Sequence, residues 1–193
     1  TDFDDDGAVD LIVVGEWMNI EIFRQNNGKL QNISGNALDK AYVGWWNSIA
    51  GADIDNDGDT DYLCGNLGLN SIFQGNDQFP LMIFAKDFDN NGIIDPIVVK
   101  YIHDEQYMLQ PFPVSTRDGV VSQVSILKQR LETYRAFGQS TIYDLFTEDE
   151  LQNSYQRSAN YLESSVMLNL GNGKFKVIPL PAEAQIAPIY GII

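Results

Sequence analysis

Asp53-Ile54-Asp55-Asn56-Asp57-Gly58-Asp59-Thr60-Asp61 belongs to a pattern that occurs three times in this chain. The related stretches are Asp2–Asp10 and Asp87–Asp95, and all three fit D-x-D-x-[DN]-G-x-x-D. Side chains at positions 1, 3 and 5 point inward when the chain winds tightly around one centre, and glycine at position 6 permits the positive φ of a sharp turn. Oxygen ligands at this spacing are typical of a calcium site.

Each stretch predicts its own set of calcium ligands. Position 7 offers its backbone carbonyl, and the acid at position 9 closes the shell directly or through water. Asn91 removes one charge from the third loop, so we expect the third site to be the weakest. The predicted ligands are Asp2, Asp4, Asp6, the Ala8 carbonyl and Asp10; Asp53, Asp55, Asp57, the Asp59 carbonyl and Asp61; and Asp87, Asp89, Asn91, the Ile93 carbonyl and Asp95.

The alternative interpretation is three solvated acidic turns, because Asp, Asn and Gly are common turn residues. Charge favours the metal interpretation, since two carboxylates ~4 Å apart repel by about 1 kcal/mol in water and ~4 kcal/mol at an effective dielectric of 20. The loops hold 13 of the 27 acids and none of the 12 bases, so they account for much of the net charge of −15. This acidity argues against a nucleic-acid partner and against an anionic membrane surface.

The EF-hand begins with a similar pattern and is a competing interpretation. An EF-hand needs a bidentate Glu at position 12 and a helix on each side of the loop. Position 12 is occupied here by Val13, Cys64 and Val98. The residues after each loop are short apolar runs rich in β-branched side chains, which are typical of buried strands. The sequence therefore predicts calcium loops between strands.

Calcium loops between short strands resemble the FG-GAP/VCBS repeat of integrin-α-like β-propellers. Further segments are similar to the large bacterial VCBS-repeat proteins grouped with ASPIC/UnbV. These segments are Gly44–Ala50, Gly65–Ser71, Ala85–Asp89, Pro181–Gln185 and Pro188–Gly191. The resemblance implies an all-β fold, a partial β-propeller whose blades carry about three structural Ca²⁺ ions. It also implies an exported protein.

The sequence predicts that the chain is divided into three segments. Residues 1–103 form propeller blades with the three loops, and residues 104–163 form a mainly helical insertion within the third loop's blade. Residues 164–193 complete that blade and start the next one. Helical spacing of apolar residues from Val120 to Tyr134 and a capping box at Thr147–Glu150, which predicts a helix over 148–160, support the helical insertion. The chain starts on a loop ligand and ends where a further strand is expected, so we interpret it as a piece of a longer repeat protein.

Several single residues have two interpretations. Trp45 and Trp46 either pack between blades or form an aromatic platform for a sugar ring. His103, the only histidine, is either structural or catalytic, and no complete catalytic arrangement is found around it. Cys64 lies in an apolar run, which predicts a buried, unreactive thiol. No apolar run is long enough to span a membrane.

The predicted function is a calcium-binding propeller segment of an extracytoplasmic repeat protein. It acts as a scaffold or as a module that binds a carbohydrate or protein ligand. One alternative is part of a calcium-dependent polysaccharide lyase or hydrolase, and another is an adhesin that binds its ligand through metal. Weak calcium sites of about 10⁻⁴–10⁻³ M suit an extracellular setting.

Overall fold

Short β-strands dominate the protein. In the computed structural model, which describes residues 1–193, the strands are joined by turns rich in Gly, Asn and Asp, and the helices are few and short. The longest helix has 7 residues, and no helix is both long and apolar enough to cross a lipid bilayer. The mostly-β composition agrees with the predicted all-β class.

Four of the five α-helices follow one another in the middle of the chain, between residues 117 and 152. The strands are β1 (Leu11–Val13), β2 (Glu16–Met18), β3 (Glu21–Asn26), β4 (Lys29–Asn32), β5 (Gly44–Trp45), β6 (Ser48–Ala52), β7 (Asp61–Gly65), β8 (Leu81–Lys86), β9 (Asp95–His103), β10 (Leu109–Pro113), β11 (Tyr155–Ala159), β12 (Ser165–Asn169) and β13 (Phe175–Pro179). The helices are α1 (Ser34–Ala37), α2 (Arg117–Gln123), α3 (Tyr134–Gln139), α4 (Ile142–Leu145) and α5 (Glu148–Gln152), with 3₁₀ helices at Ser125–Lys128 and Ala182–Gln185.

The chain forms two compact units. The first unit contains Thr1–Ser71 and Ala159–Ile193, and the second contains Ile72–Ser158. The second unit is therefore an insertion in the sequence of the first. Because an insertion of this kind only has to bring its two ends together, its cost in chain entropy grows slowly with its length.

The first unit contains two antiparallel sheets and a two-stranded ribbon. Sheet A has the order β1-β3-β4, and the ribbon pairs β2 with β5. Sheet B has the order β6-β7-β12-β13, so its four strands are neighbours in chain order apart from the insertion. Its central strand β7 pairs with both sides, because Leu63 lies opposite Ala50 on β6 and Val166 on β12.

The core of the first unit is rich in aromatic side chains. Phe3 packs edge-on against Phe175 with ring centroids 5.4 Å apart, and Tyr62 lies 6.1 Å from the same ring. Ile22 and Met167 are fully buried in the same cluster. Phe3 belongs to the first loop, whereas Tyr62, Met167 and Phe175 belong to sheet B, so this cluster joins the loop to the sheet. Burying each side chain of this size contributes about 1.5–3 kcal/mol to stability.

The second unit packs helices on one antiparallel sheet. Sheet C has the order β10-β9-β8-β11. Val120, Val124 and Leu127 are fully buried and pack in one cluster with Ile97 and Val99 of β9. The predicted helical spacing thus places these residues in a core, although the helix itself ends at Gln123 and a 3₁₀ turn follows.

The structure divides the chain differently from the sequence-based expectation. Residues 165–169 pair with β7 of the second loop, not with the strands that flank the third loop. Sheet C reaches four strands without these residues, since β9 pairs with β10 and β8 pairs with β11 on their outer sides. The inserted unit accordingly begins at Ile72, includes the third loop with its own sheet, and ends at Ser158. The expected boundaries at 103 and 163 differ from these.

Helix α5 begins where the sequence predicts a helix over 148–160, but it is shorter than this range. The capping box is present, because the Thr147 hydroxyl accepts from the Glu150 N–H and the Glu150 carboxylate accepts from the Thr147 N–H. The helix ends at Gln152, where the Asn153 side-chain amide donates to the Asp149 carbonyl at 3.0 Å. Strand β11 follows.

Candidate metal centres

The three Asp-rich stretches adopt one backbone conformation. The residue at position 4 has a positive φ in each loop, and so does the glycine at position 6. Asn and Asp tolerate this left-handed conformation and glycine adopts it without strain, so the sequence pattern itself allows the tight winding. The φ angles are 55°, 62° and 57° for Asp5, Asn56 and Asn90, and 84°, 100° and 87° for Gly7, Gly58 and Gly92.

Two hydrogen bonds recur in all three loops. The carboxylate at position 1 accepts from the glycine N–H at position 6, and the side chain at position 5 accepts from the N–H at position 7. These bonds orient the side chains at positions 1 and 5 toward the inside of the turn. The first bond measures 3.0 Å for Asp2–Gly7, 3.2 Å for Asp53–Gly58 and 2.8 Å for Asp87–Gly92, and the second measures 2.8 Å for Asp6–Ala8, 2.9 Å for Asp57–Asp59 and 2.8 Å for Asn91–Ile93.

The acid at position 9 is buried in every loop. Asp10, Asp61 and Asp95 are 3%, 0% and 2% exposed, and each accepts from the N–H at position 2 of its own loop. In the first two loops the other oxygen accepts from a neighbouring strand. Asp10 accepts from the Gln25 N–H at 2.8 Å, and Asp61 accepts from the Asn169 N–H at 2.8 Å. In the first two loops, the acid at position 9 therefore connects its own loop to an adjacent strand.

Carboxylate oxygens converge in each loop. The converging sets are Asp2, Asp4 and Asp6; Asp53, Asp55 and Asp57; and Asp87, Asp89 and Asp95, and within each set one oxygen per residue lies within 4.8 Å of the others. Oxygens on opposite sides of a calcium ion, each about 2.4 Å from it, are about 4.8 Å apart, so the oxygens of each set lie close enough together to contact one ion.

Three carboxylate oxygens of these residues are buried without a hydrogen-bond partner. They are one oxygen each of Asp2 and Asp4 in the first loop and of Asp89 in the third. An unpartnered buried carboxylate oxygen costs free energy because its hydration is lost and nothing replaces it. A cation at the centre of the loop satisfies these atoms, so the residues present fit a divalent metal ion.

Two supporting residues of these loops were not found from the sequence. Arg24 on β3 places its Nε 2.7 Å from an Asp4 oxygen in the first loop. Ser125, at the start of the 3₁₀ helix, donates to an Asp89 oxygen through its N–H at 2.9 Å and through its hydroxyl at 2.7 Å. Both contacts join residues more than 19 positions apart, and no local pattern marks either residue.

The surroundings shift the pKa values of the loop carboxyls in two directions. Burial raises the pKa of Asp4 above its ordinary value, against the opposing effect of Arg24, and burial also raises the pKa of Asp95. Loss of hydration, together with the carboxylates of Asp57 and Asp61, raises the pKa of Asp55. The hydrogen bonds from Ser125 hold the pKa of Asp89 below its ordinary value. Raised values indicate negative charge that the metal-free loop accommodates poorly.

The other singled-out residues lie outside these loops. Trp46 is 2% exposed, and its indole N–H donates to the Tyr42 carbonyl at 3.1 Å, so Trp46 is a core residue. Trp45 is partly buried and lies 5.2 Å from the ring of Trp17. Cys64 is fully buried, which confirms the predicted burial of its thiol, and this burial raises the pKa of the thiol to about 12. His103 ends strand β9 and is exposed.

Comparison with known proteins covers one third of the chain. A search of curated proteins and of solved structures gave no match. The family model described as FG-GAP-like repeat matches residues 2–64, a segment that contains the first two loops. This match supports the predicted FG-GAP repeat, whereas the finer grouping with VCBS and ASPIC/UnbV proteins stays a prediction. Residues 2–64 are thus similar to FG-GAP-like repeats, modules that are typical of extracellular proteins.

Proposed function

We propose that the three loops bind calcium and that the ions hold β-hairpins of an exported repeat module together. The observation that carries this proposal is the repeated convergence of carboxylates at positions 1 and 3 on one backbone conformation, with three of their oxygens buried and unpartnered. Each loop leads directly into a strand, and the first loop leads into β1. The second joins β6 to β7 and the third joins β8 to β9.

The predicted ligand set extends beyond the converging side chains. The carbonyls of Ala8, Asp59 and Ile93 at position 7 complete the shell in this proposal, as in other calcium loops. Position 9 contributes directly in the third loop, where Asp95 belongs to the converging set. In the first two loops both oxygens of the position 9 acid accept backbone hydrogen bonds, so we assign it to the ion through water.

We further propose that sheets A and B are blades of a β-propeller in a longer protein. Four antiparallel strands in chain order, as in sheet B, are the usual content of one blade. The module then serves as an extracytoplasmic scaffold that presents a surface to a carbohydrate or protein ligand. Calcium sites of extracellular modules bind at about 10⁻⁴–10⁻³ M, so they fill outside the cell.

Thermal unfolding with and without calcium tests the proposal. At about 10 mM calcium, each site of this affinity adds about 1.4–2.7 kcal/mol to the free energy of unfolding. We expect EDTA to lower the melting temperature by at least about 5 °C and excess calcium to restore it. An unchanged melting curve in EDTA contradicts the proposal.

A matched pair of variants separates the loops from general surface charge. Asp55→Ala removes a converging carboxylate of the second loop, whereas Glu132→Ala removes an exposed acid outside the loops. Asp55→Ala should reduce the number of calcium ions bound per chain in a titration calorimetry experiment. Glu132→Ala should leave this number unchanged, and an equal reduction in both variants argues for diffuse charge attraction.

A further inference from the structure

A groove of about 540 Å³ lies in the second unit, between the β9–β10 hairpin and the segment that joins α3 to α4. Its volume is in the range of small-molecule sites, about 300–1,000 Å³. None of the predicted calcium ligands lines it. The lining residues that the argument uses are Ile102, Glu105, Gln110, Phe112, Gln139 and Thr141.

The wall on the hairpin combines apolar and amide groups. Gln110 lies opposite Ile102 in the strand register, and Phe112 lies two residues further along β10. Because side chains alternate between the faces of a strand, these three residues share one face, and this face lines the groove. Phe112 is 7% exposed and supplies an apolar surface beside the polar group of Gln110.

The opposite wall comes from the ends of two helices. Gln139 ends α3 and Thr141 precedes α4. The Gln139 side-chain amide donates to the Glu105 carboxylate at 2.8 Å, which ties the end of α3 to the hairpin turn. A glutamine that donates through its nitrogen keeps its oxygen as a free acceptor, so this wall still offers hydrogen-bonding capacity.

The hairpin turn holds an aromatic residue in an unfavourable conformation. Seven non-glycine residues have positive φ; five are Asn or Asp, and the other two are Trp17 and Tyr107. Trp17 packs against Trp45, but the Tyr107 side chain is 84% exposed. A bulky residue in the left-handed region is strained, and burial of its ring does not compensate for the strain here. Tyr107 immediately follows Gln106, which lines the groove.

The chemistry of the lining selects a class of ligand. The groove is lined by His103 and by the carboxylates of Asp104 and Glu105, with no Lys or Arg, and the two carboxylates disfavour phosphate, sulfate and other anions. The Asp104 carboxylate already accepts from the N–H groups of Gln106 and Met108, so it orders the turn. Amides and a carboxylate beside an apolar floor suit hydroxyl groups that both donate and accept, carried on a ring with an apolar face.

We propose that this groove binds a neutral oligosaccharide, with the Tyr107 ring stacking on a sugar and with Gln110 and Gln139 bonding its hydroxyl groups. The inference deepens the ligand-binding role proposed above. It uses no residue of the calcium loops, so failure of the calcium test and failure of the oligosaccharide test are distinguishable.

Isothermal titration of the whole chain in calcium buffer tests this inference. The probes are neutral hexasaccharides of α- and β-linked glucan, mannan, xylan and galactan, with oligogalacturonate and chitosan hexamer as the anionic and cationic comparisons. We expect at least one neutral probe to bind with a Kd below about 1 mM, and the charged probes to bind more weakly. Absence of binding by every neutral probe, or tighter binding of a charged probe, overturns the inference.

Tyr107→Gly distinguishes a binding role from a structural one. Glycine relieves the strain of the positive φ, so the melting temperature should stay unchanged or rise by about 2–4 °C. Loss of the ring should weaken oligosaccharide binding about fivefold or more. Tyr155→Ala, which removes another exposed tyrosine of the same unit, should not change the affinity. Equal affinity in Tyr107→Gly and the unmodified chain overturns the stacking role.

Gln139 has a closely matched control in the same unit. Gln139→Leu removes the 2.8 Å bond to Glu105, and Gln152→Leu removes a 2.8 Å bond of the same kind to Glu148. Both substitutions cost one exposed hydrogen bond, so their effects on stability should be similar and small. Only Gln139→Leu should weaken binding, by about fivefold. An equal change of affinity in both variants overturns the groove as the site.

Discussion

The second loop (Asp53–Asp61) and the third loop (Asp87–Asp95) share three internal hydrogen bonds but have very different support from the surrounding protein. In the third loop Phe88 is 4% exposed and lies 4.1 Å from the ring of Phe146. The corresponding residue of the second loop, Ile54, is 41% exposed. Ser125 fixes Asp89 with two hydrogen bonds, whereas Asp53, Asp55 and Asp57 are all exposed.

This difference shows two ways in which a metal loop can be ordered, by the surrounding protein or by the bound ion. The third loop is held by the protein around it, so much of its ordering is complete before an ion binds. The second loop is anchored mainly through the buried Asp61, and the order of its exposed part depends on the ion. Preorganisation raises affinity by reducing the ordering cost of binding. Preorganisation therefore favours tight binding at the third site, whereas the charge lost at Asn91 predicts that the third site is the weakest.

The largest effect should come from the buried acid of the second loop. Asp61 accepts from the N–H groups of Ile54 and Asn169, while Asp95 of the third loop makes one such bond, to Phe88. Each hydrogen bond to a charged group contributes about 1.5–3 kcal/mol, so Asp61→Ala should lower the free energy of unfolding by about 3–5 kcal/mol in EDTA. Asp95→Ala should cost about half as much. Urea denaturation measures both, and a larger loss for Asp95→Ala contradicts the comparison.

Calcium removal should affect the two loops unequally. The N–H groups of Gly58 and Gly92 occupy the same position and donate to Asp53 and Asp87. We expect EDTA to accelerate hydrogen exchange at Gly58 at least about tenfold more than at Gly92, because the packed loop opens less readily. Exchange measured by NMR with and without calcium checks this. Equal acceleration indicates that packing does not order the third loop.

Loss of the Ser125 hydroxyl should weaken the third site selectively. Ser125→Ala removes the 2.7 Å bond to Asp89 and keeps the bond from the backbone N–H. We expect calcium affinity at this site to fall about three- to fivefold. Ser122→Ala is the control, since its hydroxyl donates to the Gly119 carbonyl and contacts no loop. A comparable loss of affinity in the control shows that the effect is not specific to the Asp89 contact.

The smallest effect should be a difference in pH dependence in EDTA. The raised pKa of Asp55 means that its favourable contribution to stability is present below pH 3.8 and is lost as pH rises through the folded value. The lowered pKa of Asp89 has the opposite sign, so its contribution is present above pH 3.8 and is lost as pH falls through the folded value. Asp55→Asn should therefore stabilise the metal-free protein above about pH 4, and Asp89→Asn should destabilise it.

Melting curves between about pH 3 and pH 6 measure this difference. The two variants should diverge as the pH rises through this range. Parallel profiles for Asp55→Asn and Asp89→Asn contradict the assigned electrostatic surroundings of the two loops.

Local structure could be predicted from the sequence alone. The winding of each loop depends on a glycine at position 6 and on side chains within nine positions of one another, so the D-x-D-x-[DN]-G-x-x-D pattern predicts it directly. The same holds for the capping box at Thr147 and Glu150 and for the apolar runs that become short strands. Hydrogen bonds over such short separations form with little loss of chain entropy, so local sequence specifies them.

Contacts between residues that are distant in the chain could not be predicted in this way. Strand β12 is an apolar run that fits either neighbouring hairpin by its pattern, and it pairs with β7, while β9 and β8 pair on their outer sides with β10 and β11. Arg24 and Ser125 support the loops from other elements, and the groove beside Tyr107 exists only because α3 and α4 lie over the β9–β10 hairpin. Such contacts depend on which edges and faces remain unburied once the units fold, and a linear pattern does not carry that information.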